Sequence, residues 1–268
     1  MKPLVSIIIP CYNSGKYLPD AIRSVHEHPD KTIHKIIIVD DGSTDEQTLL
    51  LLNQLAAEGI TVIHQENRGP AAARNTGVMH AQTKYLLFLD SDNKIRYTYI
   101  DKGIDILDKH KDVGVVHGNA AFFGTANKPR FSSRPFDMTT MLFSNYIDVC
   151  SVIRKKVWED AGKFDEKRIL FGHEDWDFWL RVADTGWKFH YVNEELFDYR
   201  VRENSLLIQS SGSDNIRQMM HYVYSKNMDI VMKEYRALYR EKMLYQKDKE
   251  RPLRSFAKFM YRKYFKKD

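Results

Sequence analysis

Four short apolar runs, LVSIII (4–9), KIIIV (35–39), ITVIHQ (60–65) and YLLFLD (85–90), alternate with stretches of helical spacing. No other feature constrains the fold as much. A run that is apolar at nearly every position cannot have one face in water, so each is read as a strand covered on both sides. Between the first two runs Leu18, Ile22 and Val25 recur at helical spacing up to about Glu27, and DDGSTD supplies turn and cap residues ahead of TLLLLNQLAAEG. GPAAARNTG opens a further helix before the fourth run. Strands alternating with helices imply parallel pairing with right-handed crossovers. The pattern continues with a helix near 97–110 and strands at VGVVHG (113–118) and WKFHYV (187–192), and helical and strand signals also recur at MTTMLFSNY and DVCSVIRKK. From about Ser213 the sequence is helical and free of strand signals. The expected architecture is therefore α/β: a mostly parallel central sheet flanked by helices over residues 1–210, with a helical C-terminal extension over 211–268.

Charge narrows the function classes. The formal net charge is +5, but the last 18 residues carry seven Lys and Arg against one Asp, which leaves the preceding body at −1. A near-neutral body without a nucleic-acid motif argues against a nucleic-acid partner. The tail RPLRSFAKFMYRKYFKKD sets Leu253, Phe256, Phe259, Met260 and Tyr264 among its basic residues at helical spacing. That pattern suits an anionic membrane surface contacted through 251–268, and equally a terminal helix docked on its own domain. Two cysteines, Cys11 and Cys150, are too few for a disulfide framework. MKPLVSIIIP is too short an apolar run for a leader, and no stretch reaches the length of a spanning helix. The expected location is cytoplasmic, with room for peripheral attachment to the inner face of a membrane.

The strands at 4–9, 35–39 and 85–89 end in PCYNS, DDGSTD and DSDN. The C-terminal ends of parallel strands share one edge, where open sheets bind ligands. Pro10, Tyr12, Asn13, Asp40, Asp41, Asp90, Ser91 and Asp92 are expected along one crevice there. Tyr12 can stack on a base, and a carboxylate can accept a hydrogen bond from a base N–H. Capping explains Ser43, Thr44 and Asp45, but leaves consecutive Asp40 and Asp41 unexplained. Asp90 and Asp92 are either a solvated turn or a corner for Mn²⁺ or Mg²⁺, hard cations that take carboxylate and phosphate oxygens.

SIIIPCYNSGKYL, IIIVDDGSTD, NRGPAAARNTG, YLLFLDSDN, CSVIRKKVWEDAGKFDE and GHEDWDFWLRVADTGWK resemble, in order and spacing, the family 2 glycosyltransferases with the GT-A (Rossmann-like) fold. The resemblance covers about residues 4–200. It implies a nucleotide-sugar donor, a divalent cation and direct, inverting transfer to a hydroxyl of a glycan or lipid-linked acceptor. It also implies a donor half at about 1–95 and an acceptor half at about 96–210. By position, Pro10, Tyr12, Asp40 and Asp41 match the base and ribose site, and Arg74 and Asn75 an element near the donor. Asp90 matches a sugar or ribose contact, Asp92 a metal ligand, and Asp175 the catalytic base with Glu174 beside it. Chemistry supports one base independently: inverting transfer needs a carboxylate to take the acceptor proton. Acidic residues opening a helix are the bland alternative for Glu174 and Asp175. Trp176 and Trp179 could flank an acceptor sugar or simply be core.

One departure stands out. Where many members carry a histidine after the last strand, YRVRENS places Arg202, which binds phosphate but ligates no cation. A nicotinamide dehydrogenase fits the α/β pattern but lacks the G-x-G-x-x-G fingerprint after the first strand. A chain-polymerising synthase is disfavoured by the lack of spanning helices. A non-catalytic nucleotide-sugar-binding or scaffold protein of the same fold stays open.

Overall fold

The structure, a computed structural model, describes residues 3–125, 131–202 and 213–264. The first apolar run forms β1 (Val5–Cys11), flanked in parallel by β2 (His34–Asp40) on one side and β4 (Tyr85–Phe88) on the other; β3 (Thr61–His64) extends β2. Ile9 pairs with Ile38 and Ile8 with Phe88, so the three runs are in step and their polar ends emerge together. Every apolar side chain of β1 and β4 except that of Pro10 is buried, as continuous runs covered on both faces require.

The intervening helices cover those faces. In α1 (Leu18–His26), with Pro19 in its first turn, Leu18, Ala21, Ile22 and Val25 are buried. Helix α2 (Glu46–Ala57) is capped by Asp45, whose carboxylate accepts from Thr48 N at 2.8 Å. Helix α3 (Pro70–His80) lies close on the sheet because its face is small: a Cβ on Gly77 would meet Ile8 Cγ2 at 2.5 Å.

The second half departs from simple alternation. After β5 (Lys94–Ile95) and α4 (Thr98–Lys109) come β6 (Val113–Gly124), α5 (Met138–Phe143), β7 (Val152–Arg154), α6 (Lys155–Asp160), a 3₁₀ turn (Arg168–Leu170), α7 (Glu174–Asp184) and β8 (Lys188–Val201). The strand order is β3-β2-β1-β4-β7-β6-β8-β5. Strand β7 runs antiparallel to both β4 and β6, and β5 antiparallel to β8, whereas β6 and β8 are parallel. The sheet is mixed: parallel throughout its N-terminal half and interrupted by antiparallel pairs beyond β4. Apolar runs as short as VIR, with no helix-length crossover of fixed hand, carry no direction in their composition.

Strand β8 also runs well past WKFHYV. Asn193, Glu194 and Glu195 interrupt the apolar run, yet the strand continues beside β6 through register shifts at Gly118–Ala120. Those acids face outward, where Lys102 pairs with Glu194 and Arg96 with Glu195.

The chain divides into two compact units, Met1–Val223 and Tyr224–Asp268. Helix α8 (Ser213–Lys226) contributes most of its length to the first. The second holds α9 (Met228–Glu250) and α10 (Pro252–Tyr264), so the C-terminal extension is helical among the described residues. Lys266, Lys267 and Asp268 of the basic tail lie outside the described residues. Among the described residues no helix is long and apolar enough to cross a membrane.

Candidate active site

The ends of β1, β2 and β4 open into a cavity of about 440 Å³. Pro10, Tyr12, Asp41, Asp90, Ser91 and Asp92 line it, as their shared sheet edge predicts. Tyr12 is half exposed and offers a ring face at the rim. Asp41 is buried and organises the loop that follows β3: its carboxylate accepts from Gln65 Nε2 (2.7 Å), Arg68 N (2.9 Å) and Gly69 N (2.7 Å). Gly69 has φ +92°, and a Cβ there would meet the Phe171 ring at 2.3 Å, so this turn admits only glycine.

Other expected donor residues sit just behind the wall. Asp40 is buried, takes Ser43 N at 3.0 Å and contacts His64 Nδ1 at 2.9 Å. Asn13, at φ 48°, accepts from Thr44 N and Asp45 N and so fixes the entry to α2. Asn75 is buried away from the cavity; it binds Phe164 O, Phe164 N, Glu166 and the Trp158 indole. It is a tie between α3 and the 158–166 segment.

Arg74 lines the cavity floor. Its guanidinium bridges Glu174 Oε1 (2.6 Å) and Asp90 Oδ1 (2.7 Å) from a buried position on α3. Both neighbouring carboxylates raise its pKa against burial, the largest opposing influence. Glu174 also takes Gly172 N at 2.8 Å, so both of its oxygens are committed to holding the start of α7.

A second cavity, of about 300 Å³, adjoins the first; Asn145, His173, Trp176 and Met219 are among its walls. The two cavities share Asp148, Gly172, Asp175, Tyr199, Arg200 and Arg202. Asp175 thus stands on the partition between them. Trp176 N holds its Oδ1 at 2.8 Å and Asn145 Nδ2 its Oδ2 at 2.9 Å, which leaves a lone pair on each oxygen. Burial, followed by the charges of Glu174 and Asp148, raises the Asp175 pKa well above the ordinary carboxylate range. Asp148, held by Cys150 N, is pushed up to about 7 by burial and by Asp90. Of the two expected aromatics, Trp176 lines the second cavity, its indole donating to Met141 O. Trp179 is fully buried, bonded to Ile147 O and packed on Phe178 and Phe189; it belongs to the core.

Sequence reading missed Asn145, Asp148 and Arg200. Asp148 had a signal, a lone acid in the apolar stretch NYIDVCSVI. Asn145 had none.

The donor set does not suit the expected divalent cation. Asp90 is held by Arg74, and Asp92 Oδ2 lies 2.7 Å from Arg202 Nε. Arg200 donates to Asp92 O at 2.9 Å. Burial, then the Asp90 charge, pushes the Asp92 carboxyl up to about 6, against the pull of Arg202 and Arg200. Among the described residues no group of three or more His, Cys, Asp or Glu is arranged to hold a metal ion.

Comparison with known proteins gives the family. The family model described as "Glycosyl transferase family 2" matches residues 6–168. An uncharacterised glycosyltransferase of Haemophilus influenzae is 33% identical over 183 residues, 66% of this chain and 71% of its own length. TuaG of Bacillus subtilis, a glycosyltransferase named for teichuronic acid biosynthesis, is 31% identical over 212 residues, 76% of this chain and 82% of its own. Among solved structures, S. aureus TarS 1-349 in complex with UDP-GlcNAc aligns with TM-score 0.68 at 21% identity, covering 84% of this chain. This chain spans 66% of that one, and the likeness at such identity is one of fold.

Proposed function

The chain belongs to glycosyl transferase family 2 and is a glycosyltransferase, and from that premise we propose that it moves one sugar, with inversion, from a UDP-sugar to a hydroxyl of a glycan or lipid-linked acceptor in surface polysaccharide synthesis. The observation that carries this reading is the position of Asp175 on the partition between two adjoining cavities. The first has the features a nucleotide diphosphate needs: an aromatic face at Tyr12, a buried carboxylate at Asp41 and guanidinium groups at Arg200 and Arg202. The second presents Trp176 and apolar Met219, suited to a sugar face or a lipid-proximal acceptor.

In this reading the acceptor hydroxyl enters from the second cavity and its proton passes to Asp175. The oxygen forms the new bond to the anomeric carbon as the bond to the β-phosphate oxygen breaks, and the electron pair leaves on the diphosphate. A raised carboxylate pKa brings the base closer to the working pH, where proton transfer is most effective. Asn145 and Trp176 N orient Asp175; Arg74 and Glu174 hold the start of the helix that carries it. The names of TuaG and of the UDP-GlcNAc complex of TarS support the surface-polymer and UDP readings. The exposed apolar residues of α10 (Leu253, Phe256, Phe259 and Tyr264) beside Arg251, Arg254 and Lys263 support contact with an anionic membrane surface.

A donor screen tests the proposal. Incubation with UDP-, GDP- and dTDP-sugars and lipid-linked or oligosaccharide acceptors is expected to yield product from the UDP series. Asp175→Asn should lower turnover by roughly 10²–10⁴-fold while leaving UDP affinity unchanged. Full transfer by Asp175→Asn would remove Asp175 as base; tight donor binding without any turnover would favour the binding-protein alternative.

A further inference from the structure

We infer that the diphosphate of the donor is neutralised by Arg202 and Arg200 in place of a divalent cation, so that donor binding and transfer proceed without metal. This rests on the nucleotide-diphosphate reading of the larger cavity. Asp92 is the carboxylate a cation would need, and Arg202 Nε approaches its Oδ2 to 2.7 Å. That Nε–H makes no directed hydrogen bond, and neither Nη makes one among the described residues. One guanidinium can therefore rest its Nε on Asp92 and turn both Nη groups to phosphate oxygens, the paired geometry that arginine offers and a point charge does not. The Arg202 side chain is 34% exposed and lines the cavity, so a ligand reaches it.

Arg200 secures the same corner from below. Its Nε donates to Asp92 O, one Nη pairs with Asp20 at 2.8 Å, and its backbone N–H is taken by Asn93 Oδ1 at 2.8 Å. The Tyr17 ring faces both guanidinium groups, 4.9 Å from Arg200 and 5.2 Å from Arg202, and Phe123 covers Arg200 at 4.4 Å. Aromatic faces stabilise both cations where they stand. Asp90, the other acid of the pair, is already bound to Arg74 at 2.7 Å. A divalent ion entering here would have to displace Arg202 from Asp92 and compete with Arg74 for Asp90. The negative charge that develops on the departing diphosphate instead meets guanidinium N–H donors already held in place by their carboxylate partners.

The test is calorimetric titration of UDP into the full chain in EDTA and in MnCl₂. Wild-type affinity is expected to agree within about threefold between the two buffers, since a lost charge-assisted contact would show as roughly tenfold or more. Arg202→Gln should bind UDP about tenfold more weakly in both buffers. Arg202→His, whose imidazole can ligate a cation, should be weak in EDTA and recover in MnCl₂. Thermal unfolding of each variant without nucleotide separates lost contacts from lost folding. Wild-type binding that collapses in EDTA and returns with Mn²⁺ overturns the inference while upholding the nucleotide site. Failure of UDP, GDP and dTDP to bind in either buffer overturns the nucleotide reading and this inference with it.

Discussion

Replacing Arg74 by Met should expose how much of the site is held by one buried cation. The guanidinium contacts Glu174 at 2.6 Å and Asp90 at 2.7 Å, with side-chain exposures of 5% for Arg74, 8% for Glu174 and 31% for Asp90. Two unit charges about 4 Å apart attract by about 4 kcal/mol at an effective dielectric of about 20, and desolvation offsets much of that. Stranding a buried partner costs about 3–5 kcal/mol, and that applies to Glu174; the wetter Asp90 adds no more than about 1 kcal/mol. Arg74→Met is therefore expected to destabilise by about 4 kcal/mol. Glu174→Met alone should cost somewhat less, because Arg74 keeps Asp90. The double variant removes the stranded charge and should recover at least about 2 kcal/mol relative to additivity. Urea unfolding followed by tryptophan fluorescence reads the cycle, with Trp176 and Trp179 both on the helix that Glu174 begins. Additive losses within about 0.5 kcal/mol would refute the argument, since contacting groups must couple.

Two further outcomes follow from the same geometry. The acid limb of kcat/KM should report the coupled carboxylates Asp148 and Asp175, with transfer rising as pH passes upward through their raised range, because only ionised Asp175 accepts a proton. Asp148→Asn removes a charge that raises the Asp175 pKa, so the limb should move to lower pH; an unmoved limb would show that the two do not interact, and one displaced upward would refute the sign of their interaction. For the C-terminal unit, sedimentation with phosphatidylglycerol vesicles should fall sharply in a chain ending at Glu250 and, for the full chain, with rising salt; equal sedimentation of both chains would end the membrane proposal.

Much of the site was legible because parallel strands in step deliver their polar ends to one edge. PCYNS, DDGSTD and DSDN needed only the strand assignment to be brought together, and the register of Ile9 with Ile38 and of Ile8 with Phe88 does so. What escaped depends on pairing over long separations. The antiparallel insertion of β7 between β4 and β6 brings Asn145 and Asp148 to the partition, and nothing local in SNYIDVC encodes that neighbour. Asn75 and Trp179 illustrate the opposite case: residue types suited to ligands, adjacent in sequence to site residues, but turned by helical periodicity into the core. The acidic pair at 90 and 92 was visible, and so were Arg74 and Arg202, but their pairing with those acids was not. One arrives from α3 and the other from the end of β8, more than a hundred residues downstream.

The partition between the two cavities has an evolutionary consequence. Because Asp148, Gly172, Asp175, Tyr199, Arg200 and Arg202 line both chambers, each of them stands, on the proposed reading, where donor and acceptor meet. Divergence toward a new sugar or a new acceptor is then channelled to walls that belong to one chamber alone. On that reading Tyr12 and Asn67, which line the first chamber alone, can vary with the donor, and Phe143, Met219 and Met220, which line the second alone, with the acceptor.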